Sequence, residues 1–484
     1  MASRREPPTP RLVPLTSTPR LGRSRPAPEP RGPRSGRPIM TARLPRLEDR
    51  PPVGQLGPEP WLSAPATRAV LAALTAEGGQ ARFVGGCVRD ALVHRPSNDI
   101  DIATTEPPPR VMALLEQAGI AALPTGLAHG TVTARVDGRS FEITTLRRDV
   151  ACDGRHAHVA FCTSFYEDAK RRDFTINALS ADAEGRVYDY FDGIADLAAG
   201  RVRFVGRAQD RLQEDFLRIM RYFRFHAWYG LPPADEEALA ACASLAPGLD
   251  TLAGERVRVE MLRLLAAPDP AGVLALMQGR VLERLLPGVV DLAPLRVLVM
   301  LETRGLVVPG IAPDPLRRLA AALGAVPGGG TGHTPLDLPM LIERYRFSRS
   351  EARRLAALLD LESEHWPDPD RDSGSLRLLL DALGREVCRD RALLAWAAER
   401  VRVPFARSQR SQGWLRLLED ILKWDPPPFP LSGRDVLARG GQGPEVGRLL
   451  REVRRLWLLD GAVGGRDEAL TWLEALGARA DEEG

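Results

Sequence analysis

From Trp61 onward, apolar and polar positions recur along the chain with two different periods. Residues 66–74 carry apolar side chains at helical spacing and predict an amphipathic helix. Residues 82–84 read as a short strand running into Gly85-Gly86, a helix begins across 88–93, and 99–103 read as a second strand. Residues 111–117 are helical again. Two period-two segments, 131–136 and 141–146, flank Asp137-Gly138, a dipeptide suited to a tight hairpin turn. Strands mixed with helices and followed by a hairpin predict a small mixed α/β domain ending near Val205. Beyond Arg207 strand signals nearly vanish. Leu-, Ala- and Arg-rich segments of helical period run to Leu476, punctuated by Gly and Pro clusters at 326–330 and 425–430. No internal repeat is present. The expected fold is therefore an α/β head, with a small mixed sheet and helices over 61–205, followed by an all-α neck (206–266) and a helical body and tail (267–484).

Residues 1–60 lack apolar periodicity and are rich in Pro, Arg, Gly and Ser. Such a stretch cannot bury enough surface to offset its chain entropy, so it is expected to be disordered. It is Arg-rich and acid-poor like an organelle-targeting leader, but its prolines oppose the amphipathic helix such a leader needs. A start at Met40 is the other reading.

Charge changes the picture only locally. The formal net charge is +3, but residues 1–39 hold nine arginines against two glutamates, so everything after them is net negative. Nucleic-acid binding must then rest on local patches and not on a basic body. No run of eighteen apolar residues is present, which excludes an apparent membrane span. The five cysteines, Cys87, Cys152, Cys162, Cys242 and Cys388, are scattered without CxxC spacing. That argues for reduced thiols in a cytoplasmic compartment and against a zinc site or a disulfide framework.

Four segments carry candidate chemistry. Gly85-Gly86-Cys87-Val88-Arg89-Asp90 follows a strand and opens a helix. Paired glycines let backbone N–H groups approach a phosphate, and Arg89 can add a charge-assisted contact. A plain tight turn is the alternative. In Asp99-Ile100-Asp101-Ile102 the two carboxylates point the same way on a strand, at a spacing that suits one or two Mg²⁺ ions. Glu142, in Phe141-Glu142-Ile143 of a neighbouring strand, can complete a carboxylate cluster; solvated strand positions are the alternative for all three. Arg171-Arg172-Asp173-Phe174-Thr175-Ile176-Asn177-Ala178-Leu179 sets adjacent arginines beside apolar residues that would pin them by burial. Finally, Asp215, Arg218, Arg221 and Arg224 differ by three throughout and form one drifting stripe on a helix. A carboxylate and a guanidinium on one face can hydrogen-bond a base edge. A salt-bridged amphipathic helix is the plainer reading.

Together, in order and spacing over residues 81–225, these segments resemble the class II tRNA nucleotidyltransferases, which include CCA-adding enzymes and bacterial poly(A) polymerases. The resemblance implies nucleotide contacts at Gly86, Arg89 and Arg172, and metal ligands at Asp99 and Asp101. It implies base reading by Asp215 and Arg218, with Arg221 and Arg224 alongside. It also makes residues 147–162 a flexible loop that helps switch from C to A addition, with Asp149, Gly154 and Arg155 in it. Gly126-Leu127-Ala128-His129-Gly130-Thr131-Val132 looks more like CCA-adding enzymes than like poly(A) polymerases, and Pro430-Leu431-Ser432-Gly433-Arg434-Asp435 and Gly443-Pro444-Glu445-Val446-Gly447 are similar to their helical tails.

The function implied is template-independent addition of C and A to the 3′ end of tRNA from CTP and ATP, with Mg²⁺ as cofactor and pyrophosphate released. An A-only-adding enzyme, a poly(A) polymerase and a catalytically inactive RNA-binding module are the rivals. Some relatives carry a phosphohydrolase domain with a His-Asp dyad. The chain has no His-Asp dipeptide, and His333 and His365 stand alone, so no such activity is expected.

Overall fold

The computed structural model describes residues 50–97, 99–152, 157–288, 291–303, 310–325, 337–361, 365–403 and 408–482. Gly154, Arg155, His333, Met40 and the cluster at 326–330 lie outside the described residues. The described residues form one compact unit.

The strands are β1 (Gly54–Gln55), β2 (Ala81–Val84), β3 (Ile100–Thr104), β4 (Ala121–Gly126), β5 (Thr131–Val136), β6 (Arg139–Thr145), β7 (Arg147–Cys152), β8 (Ala157–Phe161), β9 (Ser180–Ala181) and β10 (Arg186–Tyr188). Eight of them make one mixed sheet in the order β1-β10-β9-β2-β3-β6-β5-β4, and β7 and β8 pair as a separate ribbon. The β3–β6 pairing is parallel, whereas the β5–β6 hairpin is antiparallel. That hairpin turns at Asp137-Gly138, where both residues adopt positive φ (49° and 74°). This is the backbone of a type I′ turn, and its twist matches the flanking strands.

Alternation along β3 sets the working face. Ile100 and Ile102 are buried and join Phe83, Phe141 and Ile143 in the core beneath the helices. Asp101 and Ala103 therefore face the other side. On that side a smaller apolar cluster of Val84, Ala103, Leu146, Phe165 and Tyr190 closes one end.

The segment after the sheet joins head to helices. Phe174 and Ile176 are fully buried, yet they belong to the large helical core and not to the sheet's core. Phe174 also bridges to Phe204, and its ring packs 4.8 Å from that of Phe204 and 5.3 Å from Phe225. Two further helices matter for the site: Leu217–Tyr229, which buries Ile219, Met220, Tyr222 and Phe223, and Gly254–Leu265, which buries Val257, Met261 and Leu264. Helices continue to the C-terminal end of the described residues, with a break at Gly384 (φ 78°) inside Ser373–Arg402 and a non-helical stretch before Gly433–Leu437. Among the described residues no helix is long and apolar enough to cross a membrane.

Three expectations change. Residues 50–60 are not a featureless end of the leader: Gly54–Gln55 pairs with Arg186 and Val187, and Leu56 is buried. A few apolar residues at a sheet edge were enough to order them, although composition there is dominated by Pro and Gly. Second, the segment 147–162, expected only as a flexible loop, has in its described part a paired ribbon, with Arg147 opposite Phe161 and Cys152 opposite Ala157. Third, β1, β4, β9 and β10 carry no clear alternation; β9 and β10 are two and three residues long and owe their order to neighbours.

Candidate active site

In the parallel register of β3 and β6, Asp101 lies directly beside Glu142. Asp99 precedes β3 by one residue and is exposed; it was expected inside the strand. The position before a strand keeps the two-residue spacing, and Asp99 still acts electrostatically on Asp101. Burial, then Glu142, then Asp99 push the Asp101 carboxyl above the usual aspartate range, against the pull of Arg172. Three carboxylates thus crowd one side of the sheet around a half-buried member.

Arg172 reaches this point from the segment beyond β8. Its guanidinium is held from behind by the buried Asp168, whose Oδ2 accepts from Nη2 at 3.0 Å, while Oδ1 accepts from Arg171 Nη2 at 2.6 Å. Burial alone would raise Asp168, but Arg172 and Arg171 hold it below its ordinary value. The carboxylate sits three and four residues before the arginines, on the short helix Phe165–Lys170 capped by Ser164. The turn after β2 is fitted to Arg172. Gly85 has φ 69°, and a Cβ there would stand 3.0 Å from Arg172 Nη1. Any other residue would be strained and would crowd that guanidinium.

Gly86 opens the helix Gly86–Leu92, and Arg89 lies one turn on. Arg89 is buried. Its Nε and Nη2 donate to Asp90, its Nη1 donates to Asn177 Oδ1 at 2.5 Å, and the guanidinium lies 4.3 Å from the Tyr229 ring centroid. Asn177 Nδ2 donates in turn to Asp173 Oδ1 (3.0 Å), and Asp173 Oδ2 accepts from Arg221 Nε and Nη2 (2.7 and 2.5 Å). Glu260 continues the chain, 3.6 Å from Arg221 and 2.5 Å from Arg224. Arg221 and Arg224 are thus committed to carboxylates on two other elements.

Asp215 was expected on the same helix as the arginines. It lies instead in extended backbone (φ −156°, ψ 108°) between the helices Ala208–Glu214 and Leu217–Tyr229. Its Oδ1 accepts from the Leu217 backbone N–H at 3.0 Å, and its Oδ2 accepts from Arg256 Nη2 at 2.7 Å. The stripe is therefore three arginines behind an aspartate that lies two residues before their helix and accepts from its first N–H. Short polar residues favour such positions because they satisfy a free N–H at a helix start. Arg218 Nη1 donates to Glu214 and to the Arg211 carbonyl (2.5 and 2.8 Å).

These groups converge on a cavity of about 760 Å³. Gly86, Arg89, Asp99, Asp101, Arg172, Asp215, Arg218, Arg221 and Arg224 all line it, at distances in sequence of up to 138 residues, and Glu142 stands just outside, behind Asp101. Sequence reading gave Asn177 no role and missed Asp168, Arg256, Glu260 and Arg263. For the last three a signal was present: positions 256, 260 and 263 fall on one face of an amphipathic helix.

A family model described as the poly(A) polymerase head domain matches residues 81–203, and one described as a probable RNA- and SrmB-binding site of polymerase A matches 234–292. The human protein named mitochondrial CCA tRNA nucleotidyltransferase 1 is 35% identical over 408 residues, covering 82% of this chain and 87% of the human one. The chain belongs to the CCA tRNA nucleotidyltransferase family. A CCA-adding enzyme from Lactiplantibacillus plantarum is 40% identical over 230 residues, 47% of this chain and 55% of the bacterial one. The crystal structure of the Bacillus stearothermophilus CCA-adding enzyme in complex with CTP matches with a TM-score of 0.69 at 25% identity, covering 88% of this chain and all of that one. Membership of this family makes the chain an enzyme and a nucleotidyltransferase. CCA tRNA nucleotidyltransferases work with a divalent metal ion, and the crowded carboxylates at Asp101 are the donor chemistry such an ion needs.

Proposed function

We propose that the chain adds C and A to the 3′ end of tRNA from CTP and ATP, without a nucleic-acid template, and that its ion is Mg²⁺. One observation carries this reading: a single cavity holds Asp99 and Asp101 at one end and Arg172, Asp215 and Arg218 along its other walls. Among the described residues no three His, Cys, Asp or Glu side chains form a metal-holding group by themselves. Mg²⁺ usually takes only one or two carboxylates and completes its shell with water and substrate phosphate, so Asp99 and Asp101 suffice. When bound there, the ion would polarise the phosphate and lower the pKa of the attacking 3′-hydroxyl.

The chain's own residues supply the rest. Asp101 and Asp99 would hold the cation that meets the α-phosphate, and Glu142 beside Asp101 adds to the negative charge that draws it. Arg172, braced by Asp168, neutralises triphosphate charge and orients it for in-line attack. Gly86 leaves its backbone open beside that phosphate, and Arg89 fixes the turn. Asp215 presents an acceptor and Arg218 a donor to the base edge, a pairing that suits C and A and rejects G and U. Arg221 and Arg224 hold this wall against the head. We read 61–205 as the catalytic head, 206–266 as the neck that reads the base, and 267–484 as the body and tail that grip tRNA. A cytoplasmic, reducing location accords with the free thiols of Cys87, Cys162, Cys242 and Cys388.

The test supplies labelled CTP or ATP separately to tRNAs ending before C, at CC and at CCA. The expected result is C added to the first, A added to the second, and neither added to the third. A added only to CC ends, with no C anywhere, reassigns the chain as an A-adding enzyme. A added repeatedly to every end makes it a poly(A) polymerase, and RNA binding without incorporation makes it an inactive module.

A further inference from the structure

A second cavity, of about 390 Å³, shares Arg171 with the first. Its apolar wall is aromatic. The rings of Tyr166 and Phe191 stack 5.6 Å apart at an interplanar angle of 25°, and both are half-buried. Its rim is basic, with Arg148, Lys170 and Arg207 all exposed. Among the described residues neither the Arg148 guanidinium, nor the Lys170 ammonium, nor the Tyr166 hydroxyl has a hydrogen-bond or ion-pair partner. Phe165, one residue before Tyr166, anchors the same helix in the small cluster under the sheet, so the aromatic wall does not depend on Tyr166 for its place.

Aromatic faces beside unpaired cations are the elements by which proteins hold single-stranded nucleic acid: a base stacks and its phosphate meets the charge. The charge count selects the kind of nucleotide. Five cations, Arg171 and Arg211 among them, face three carboxylates in this cavity. Arg171 is already paired with Asp168, and Arg211 with Glu214. What remains, three cations against two carboxylates, matches the single charge of a phosphodiester and falls short of neutralising a triphosphate. The first cavity, lined by eight arginines against five aspartates, is the place for the triphosphate.

We propose that the cavity walled by Tyr166 and Phe191 is a binding site for one unpaired nucleotide of the acceptor RNA, its base on the Tyr166 face and its phosphodiester at Lys170 and Arg148. The proposal rests on the reading of the chain as an RNA 3′-end nucleotidyltransferase and names where that RNA is held. It also gives a physical link between the two cavities. Glu214 lines the second cavity and accepts from Arg218, which lines the first.

The test measures binding of a 3′-end-labelled tRNA lacking CCA to the full chain by fluorescence anisotropy, beside KM for CTP in the addition reaction. Four proteins are compared: wild type, Tyr166→Ala, Tyr166→Trp and Lys170→Glu. Base–aromatic stacking contributes about 1–3 kcal/mol, so Tyr166→Ala should weaken RNA binding roughly tenfold or more. Tyr166→Trp should restore it, Lys170→Glu should weaken it alone, and KM for CTP should stay within about twofold of wild type throughout. Unchanged RNA affinity in both Tyr166→Ala and Lys170→Glu overturns the proposal. So does a rise in KM for CTP that matches the loss of RNA binding, because that would make the cavity a second site for free nucleotide. The binding arm needs no catalysis, so failure of wild type to incorporate nucleotide would reject the functional reading without touching this result.

Discussion

Arg221 and Asp173, 48 residues apart, meet through two hydrogen bonds to a single carboxylate oxygen, at 2.7 and 2.5 Å. Asp173 follows the two arginines of the head, and Arg221 projects from the helix Leu217–Tyr229. The pair is continued by Asn177 and Arg89 on one side and by Glu260 and Arg224 on the other. A rigid link here fixes the distance between the carboxylates that would do the chemistry and the groups that would read the base.

This link sets an acid limit. Burial raises Asp173, but Arg221, Asn177 and the Phe174 N–H together hold it below its ordinary value, and Asp168 behaves likewise. A depressed folded value means stability that is present above the unfolded pKa of about 3.9 and is lost as pH falls through the folded values. Asp173→Asn removes part of that stability at neutral pH. Breaking a buried pair costs about 3–5 kcal/mol, and the partial exposure of Arg221 lowers the expectation to about 2. Denaturant unfolding at pH 7 and pH 3 should show the gap between variant and wild type closing in acid. An equal gap at both values would show that Asp173 is not held as described.

Asp101 has the opposite sign. Its folded value is raised by burial, Glu142 and Asp99, so the stability it offers is complete in acid and is lost as pH rises through that value. A divalent cation bound there relieves the repulsion. Mg²⁺ should therefore raise the melting temperature at pH 7 and do so less at pH 4.5. Asp101→Asn should melt no lower than wild type without the ion, respond weakly to it, and lose nucleotide addition by about 10³-fold or more. Retained addition in that variant would falsify the metal assignment.

Most of the head was legible because its signals are local. The Asp137-Gly138 turn, the Gly85-Gly86 turn and the Asp99/Asp101 spacing each depend on a few adjacent residues. The joint spacing of four motifs then located nearly every cavity wall. What stayed hidden depends on contacts between distant segments. Nothing near Asp168 shows that its carboxylate braces two arginines until the helix Phe165–Lys170 is seen to end there. Asp215 fits the three-residue period of Arg218, Arg221 and Arg224, and only the backbone shows it outside their helix. Strands of two or three residues, such as β9, exist because β2 and β10 flank them. No window of sequence that short carries a period.

Arginine is also the cement of the helical body. Arg317 and Arg318 are fully buried and share Glu302, Nη2 of the first at 2.5 Å and Nε of the second at 2.6 Å, while Arg317 also meets the buried Asp390 at 2.8 Å. Glu302→Gln keeps the shape but leaves two buried guanidinium groups short of a charge. A loss of about 3–5 kcal/mol in urea unfolding is expected. Nucleotide addition per folded molecule at low temperature should be unchanged, since Glu302 does not line the cavity. A loss under about 1 kcal/mol would mean that Asp390 and the backbone carbonyls compensate both arginines without it.

Base choice should depend on a residue that carries no motif. Arg256 donates to Asp215 Oδ2 at 2.7 Å, while the Leu217 N–H occupies Oδ1. Both oxygens are thus aimed, and the carboxylate keeps one orientation towards the cavity. Arg256→Met keeps much of the aliphatic bulk and releases Oδ2, so Asp215 can rotate. The expected result is a drop of roughly tenfold in the preference for CTP and ATP over UTP and GTP, since about 1–3 kcal/mol of discrimination rides on a well-placed pair. KM for the triphosphate as a whole should move little, because Arg172 is untouched. Arg256→Lys, which restores a single donor, should recover part of the selectivity. Arg218→Ala should loosen the choice in the same sense by removing the other half of the pair. The measurement is kcat/KM for each of the four nucleotides on a tRNA lacking CCA. A uniform fall for all four in either variant would place these residues in nucleotide binding and take base reading away from the Asp215–Arg218 wall.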